Sequence, residues 1–275
     1  MVNIKLVILA LLIPTLAQAQ VSIVNALPDI EQENGLSNKL SLSASWRDDN
    51  NKDTELVLGA GAGVSYKNRP WLVHFITKGS FERENGEDTE CSIMEHARLR
   101  LSVGDLISPM AALVSVASGE KVSKYNWYDA IHLETFAQHE YDKFRALNAR
   151  ILWGVGPAFK LISIKTLQLM LGTAYMLEHI DFLGQTKTEL NHRWSNYIQI
   201  SITPSNRFSI NGVTFAQFRF DDFRDHLFMS TVSLKVKATE WFGVELGGGF
   251  EYDSRPPPDI KNIGTNIKSD IFVEF

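Results

Sequence analysis

From Asn38 onward, apolar and polar residues alternate with a period of two, the spacing that puts successive side chains on opposite faces of a β-strand. In NKLSLSASWR, Leu40, Leu42, Ala44 and Trp46 share one face and Lys39, Ser41, Ser43, Ser45 and Arg47 the other. TELVLGAGAGVSY, WLVHFITKGSF and CSIMEHARLRLSV repeat the pattern; the last sets Ile93, Ala97, Leu99 and Leu101 against His96, Arg98 and Arg100. AIHLETFAQHEY, ARILWGVGPAFKLI, TLQLMLGTAYMLE, HRWSNYIQISI, FSINGVTFAQFRF, LFMSTVSLKVKA and WFGVELGGGFEYD follow. The chain closes on TNIKSDIFVEF, where only Phe272 falls out of phase. The count is about twelve amphipathic strands.

Connections alternate between short ones (KNRP, SIK, TPSN, TE) and longer polar ones (DDNNKD, ENGEDTE, DFLGQTKTELN, SRPPPDIKNIG). Aromatics such as Trp46, Tyr66, Trp71, Trp194, Phe220, Tyr252 and Phe275 sit near strand ends on the apolar face. Half-apolar strands, unequal connections and aromatic ends together predict an all-β fold, a transmembrane antiparallel β-barrel of about twelve strands with two interfacial girdles. A soluble β-sandwich would instead share its apolar faces as one core.

The two ends of the chain sharpen this. MVNIKLVILALLIPTLAQAQ has a basic start, an apolar run and an A-x-A site, so residues 1–19 are expected to be a signal peptide for export across the inner membrane. Residues 20–37 are then a periplasmic segment and 38–275 the barrel, located in the bacterial outer membrane. Ile271, Val273 and Phe275 form the expected C-terminal assembly signal, the barrel assembly machinery being the partner. Outer-membrane lipids and lipopolysaccharide are the expected surroundings; oligomeric state is not encoded legibly. Residues 104–127 interrupt the pattern on the side that should carry short turns. Ser108, Pro109 and Gly119 suit the start and end of a helix there. This insert reads either as a structural turn or as a periplasmic plug or docking helix.

Composition removes several classes. Of 275 residues 44% are hydrophobic, and the net charge is −5, which gives no basic footprint for nucleic acid. Cys91 is the single cysteine, so no intrachain disulfide forms. The polar faces carry both signs: Lys78, Arg98, Arg100, Arg150, Arg193, Arg219, Lys235 and Lys237 against Glu82, Glu134, Glu140, Glu245, Glu251 and Asp270. These are the expected lumen-lining residues, able to neutralise one another or to gate small polar solutes. Gly59, Gly61 and Gly63 share one face, leaving room for bulky lumen neighbours or bends.

Catalytic chemistry finds little support. His192 and Ser195 in HRWSN are three apart, so on a strand they face opposite ways, whereas a nucleophile and its base must be in hydrogen-bond reach. His74, His96 and His132 share the lumen phase with Glu134, but a packed polar lumen of charge pairs and hydrogen bonds accounts for them better than a metal does. No enzyme activity, cofactor or metal is expected.

AQHEYDKFRALNARILWGVGPAFKLI and EYDSRPPPDIKNIGTNIKSDIFVEF resemble the YdiY-like family, also known as domain of unknown function 481 or salt-induced outer membrane proteins. DDNNKDTELVLGAGAGVSYKNRPWLVHFITKGSFEREN fits that family's first hairpin more loosely. The insert at 104–127 departs from it. A lesser likeness is to solitary autotransporter-type barrels of twelve strands. The resemblance implies an outer-membrane barrel and brings no established activity. The expected role is therefore envelope-structural or a narrow channel for small polar solutes or ions. The alternative is an outer-membrane lipid-modifying hydrolase.

Overall fold

The computed structural model describes residues 34–48, 54–68, 70–84, 87–104, 130–142, 147–184, 188–256 and 262–274. The described residues form twelve strands: β1 (Gly35–Asp48), β2 (Thr54–Asn68), β3 (Trp71–Glu84), β4 (Glu87–Ser102), β5 (Ile131–Asp142), β6 (Leu147–Ile164), β7 (Leu167–Phe182), β8 (Thr188–Ser205), β9 (Phe208–Arg219), β10 (His226–Lys237), β11 (Phe242–Asp253) and β12 (Ile263–Glu274). Each pairs antiparallel with its chain neighbour, and β1 pairs with β12, which closes the barrel. Closure gives every strand a neighbour on both sides, β1 and β12 meeting over Lys39–Leu42 and Ile271–Glu274, and a sheet in hydrocarbon must close in this way. Residues 1–19, expected to be a signal peptide, and most of the insert at 104–127 lie outside the described residues, as does Phe275. β1 begins at Gly35, so the segment expected to end at residue 37 is shorter than the sequence suggested.

Side chains follow the strand period, inverted relative to a soluble protein. Along β8, Asn191, Arg193, Ser195, Tyr197, Gln199 and Ser201 are buried inside, while Trp194, Ile198 and Ile200 face out. Leu133, Trp153, Ile198 and Phe250 are each more than 40% exposed. Large contiguous apolar surfaces are rare on soluble monomers, and an outward apolar band is what lipid contact requires. Tyr66, Trp71 and Trp241 mark one rim; Trp194, Phe220 and Phe223 lie toward the other. No described helix is long and apolar enough to cross a membrane, which says nothing of a barrel.

Short turns (165–166, 206–207, 238–241) and the barrel's two terminal strand ends lie at one end, here the turn end; the opposite end is the loop end. The polar stretches read as long loops are shorter than expected. In ENGEDTE, Glu84 and Glu87 are paired strand residues, leaving 85–86 as the connection. In DFLGQTKTELN only 183–187 separate β7 from β8. A ladder is sustained by backbone hydrogen bonds, so it continues past the membrane with polar residues on both faces. Strands of 12 to 18 residues accordingly exceed the roughly 10 that crossing needs.

Candidate channel lumen

Among the described residues, three charge networks line the interior, two near the turn end and one near the loop end. The first joins β4 to β5. Arg100 and Glu134 are direct cross-strand partners. Arg100 Nε donates to Glu134 Oε1 at 2.6 Å and Arg98 Nη1 donates to Oε2 at 2.7 Å. Tyr197 Oη, three strands away on β8, donates to the same Oε2 at 2.8 Å. The Arg98 guanidinium lies 5.0 Å from the Phe136 ring centroid and 5.9 Å from that of Tyr197. His96 pairs with Gln138 at 3.0 Å.

The loop-end network centres on Glu178, which is completely buried. It accepts from Arg150 Nε at 2.8 Å, Arg193 Nε at 2.5 Å and Asn191 Nδ2 at 3.2 Å. Arg150 also pairs with Glu140 at 3.5 Å. Asp225, from the 220–225 connection, reaches in to Arg193 at 2.9 Å and Arg219 at 3.5 Å. Three arginines thus meet three carboxylates.

The third network ties the closing strands together at the turn end. Lys39 pairs with Glu245, and Lys235 and Lys237 both pair with Glu274. Phe272 lies among them, buried, with Lys39 Nζ 5.1 Å and Lys235 Nζ 5.3 Å from its ring centroid. Its out-of-phase position is therefore an inward aromatic held by cation–π contacts.

The lumen is less polar than the alternation implied. Phe136, Leu152, Met170, Met176, Phe215 and Met229 form a buried apolar cluster inside β5–β10. Three inward aromatics pack against cross-strand glycines: Phe136 on Gly154, Tyr197 on Gly172 and Phe272 on Gly243. A Cβ on those glycines would fall 2.2, 2.0 and 2.5 Å from the respective rings. The opposite wall is small and open: Ser41, Ser43, Gly59, Gly61 and Gly63 on β1 and β2, with Gly247 and Gly249 on β11, are all partly exposed at inward positions.

The other expected lumen residues fall as follows. Arg98, Arg100, Glu134, Glu140, Arg150, Arg193, Lys235 and Glu251 are buried at inward positions. Lys78, Arg219, Lys237, Glu245 and Asp270 are half-buried at inward positions, and the Glu82 side chain lies outside the described residues. Ile271 and Val273 face outward on β12. Sequence reading missed Glu178, Asn191 and Tyr197, although strand phase places all three inward. Asp225 sits in a connection, where no phase exists to find it. His192 is exposed and Ser195 is 2% exposed on the other face, so the two do not meet. No cluster of metal-binding side chains forms among the described residues.

The family model for "Protein of unknown function, DUF481" matches residues 114–275, more than half of the chain. The chain belongs to this family. Among solved structures, an outer membrane channel from Pseudomonas putida F1 is similar at a TM-score of 0.50 and 10% identity, covering 93% of this chain and 98% of that one. The translocator domain of the autotransporter NalP from Neisseria meningitidis gives 0.49 and 10% identity, covering 90% of each chain. The NanC porin gives 0.46 and 10%, covering 86% of this chain and 98% of that one. At such identities the likeness concerns the fold alone. Among curated proteins none matches. This DUF481 protein is a closed twelve-stranded antiparallel barrel.

Proposed function

We propose that the protein is a narrow outer-membrane channel for small polar solutes or ions, its turn end facing the periplasm. One observation carries this reading: the lumen wall is lopsided. On β5–β10 the inward side chains are bulky and dry, with Leu152, Met170, Met176 and Glu178 at 0% exposure. On β1, β2 and β11 the stretch between the charged ends is glycine and serine (Ser41, Ser43, Gly59, Gly61, Gly63, Gly247 and Gly249), and these positions are partly exposed. A barrel filled only for rigidity would bury both walls alike. The water path runs along the small-residue wall, and the bulky wall sets its width.

Passage rather than chemistry is the proposed action, since His192 and Ser195 diverge. The leader at 1–19 is proposed to direct export, and the closing strand with Ile271 and Val273 to be read by the assembly machinery.

Conductance of the detergent-refolded protein in a planar bilayer tests the reading. Steady current steps are expected. Gly63→Leu should reduce them by at least half, because Gly63 faces inward and its nearest cross-strand atoms stand 3.9 Å from an added Cβ. Ala60→Leu, on the lipid face, should leave them unchanged. A folded barrel, proven by heat-modifiable migration, that passes no current sinks the channel.

A further inference from the structure

β1 and β12 seal the barrel over only part of its height. They are registered over four residue pairs, Lys39–Leu42 with Ile271–Glu274, whereas every other neighbouring pair of strands is registered over eleven or more. Beyond Leu42, Ser43–Asp48 pair with β2 alone; on the other side, Ile263–Asp270 pair with β11 alone. The sealed part lies at the turn end, and from there the barrel is split toward the loop end. A tilted strand needs roughly ten residues to cross a bilayer, so four pairs leave more than half of the crossing unsealed. Leu42, Ile263 and Ile267, beside the split, are strongly exposed on the outward face, which sets it within the apolar band.

Nothing in the two segments forbids pairing. Neither SASWRD nor TNIKSD contains a proline or a glycine, and the register of the sealed part would run on unshifted, with Ser43 opposite Asp270 and Ser45 opposite Lys268. An unpaired edge turns the N–H and C=O groups of alternate residues into the gap, and hydrocarbon offers them no partner. Water does, and the lumen holds its open strip directly behind. Gly59 is the cross-strand partner of Ser43, and Gly247 and Gly249 are those of Lys268 and Asn266. All three glycines are partly exposed at inward positions. The split thus joins the small-residue side of the lumen to the lipid outside.

We propose that the β1–β12 split is a lateral passage between the lumen and the membrane for a single-chain amphiphile. Its outer lips, Leu42, Ile263 and Ile267, suit a hydrocarbon chain. Its inner side, with Ser41, Ser43 and the half-buried Asp270, suits a hydrated head group. Ser43 and Gly59 on one side and Gly247 on the other let a chain pass without displacing a bulky side chain. The turn end is held shut: Lys39 on β1 reaches across β12 to Glu245 on β11, and Lys235 and Lys237 on β10 reach Glu274 on β12. Phe272 sits between Lys39 and Lys235 at the same level. The passage therefore opens to the half of the membrane next to the loop end. It requires the open strip of the lumen and no axial current, so it stands apart from the channel reading.

Photolabelling of the full chain in phospholipid vesicles tests it. The probe is a lysophosphatidylcholine with a diazirine in its acyl chain, and adducts are assigned residue by residue by mass spectrometry. Adducts are expected at the outward Leu58 and Leu246 and also at the inward Ser43, Gly59 and Gly247. Cys91→Ser combined with Ser45→Cys and Lys268→Cys then allows the split to be tied by a short, reducible bis-methanethiosulfonate bridge. Heat-modifiable migration checks that each protein is folded. Tying should lower the inward adducts tenfold or more and leave the outward ones unchanged, and reduction should restore them. Labelling confined to outward residues in the parent overturns the proposal, as do inward adducts that persist undiminished in the tied protein, since the chain then enters by the mouth. Bridged dimers in place of bridged monomers also overturn it, because the free edges then belong to a second copy. A barrel that passes no current but labels inside removes the channel and leaves the passage; current with outward labelling alone does the reverse.

Discussion

Replacing Glu178 with Gln asks whether the bulky side of the lumen is dry. The carboxylate is fully buried and holds Arg150, Arg193 and Asn191 together. Taking its charge away leaves two guanidiniums short of a partner. Breaking a buried ion pair from one side typically costs about 3–5 kcal/mol. Two features hold the cost near the lower end. Arg150 keeps Glu140 at 3.5 Å and Arg193 keeps Asp225 at 2.9 Å. The new amide oxygen also still accepts a hydrogen bond worth about 1 kcal/mol. The expected loss is therefore about 3 kcal/mol. In a water-filled lumen the same pairs would be screened and worth about 0–1 kcal/mol. Reversible denaturant unfolding in phospholipid vesicles, followed by tryptophan fluorescence, measures the difference. A loss below about 1 kcal/mol would refute the buried-network description and, with it, the lopsided lumen.

Two further outcomes follow from the geometry. Gly172→Ala puts a Cβ 2.0 Å from the Tyr197 ring, which must swing away from Glu134; a loss of about 2–3 kcal/mol is expected in the same assay, whereas Gly63→Ala should change stability little. In the 220–225 connection, the hydrogen bond from Arg219 holds Asp221 below the ordinary aspartate value, and the backbone N–H of Arg224 does the same for Asp222. A lowered folded value means that the contribution is complete above the unfolded value of about 3.9 and is lost as pH falls through the folded one. NMR shifts of this connection in micelles should therefore hold steady from pH 7 to about 4 and change only below; a transition above pH 5 would contradict the contacts.

Strand number, phase and barrel closure were legible because the membrane forces a strict alternation over every crossing. Phase reads which face a side chain occupies, so Arg98, Arg100 and Arg150 could be placed inward from spacing alone. It does not read how far a side chain reaches across the interior. Tyr197 meets Glu134 from three strands away, and that depends on barrel curvature, which no local pattern carries. Loop lengths were overestimated for a related reason. Polarity marks where lipid ends, and backbone pairing continues beyond it, as at Glu84 and Glu87. Phe272 is the instructive exception: its break in phase was visible, and the two lysines that account for it lie on β1 and β10.

The three aromatic rings packed against glycines bear on how this sequence can change by descent. Phe136 with Gly154, Tyr197 with Gly172 and Phe272 with Gly243 are each a single heritable character spread over two codons. A methyl group arriving first strikes the ring; a ring lost first leaves bare backbone beside a hole. Neither intermediate is comfortable, so the two members of each pair are bound to drift together or stay as they are. On the small-residue wall the bond is looser: an added Cβ on Gly59 or Gly61 is crowded only by the rotatable hydroxyl of Ser43 or Ser41, and on Gly63 its nearest neighbour stands 3.9 Å away, so this wall adjusts the bore more freely while the opposite wall stands still.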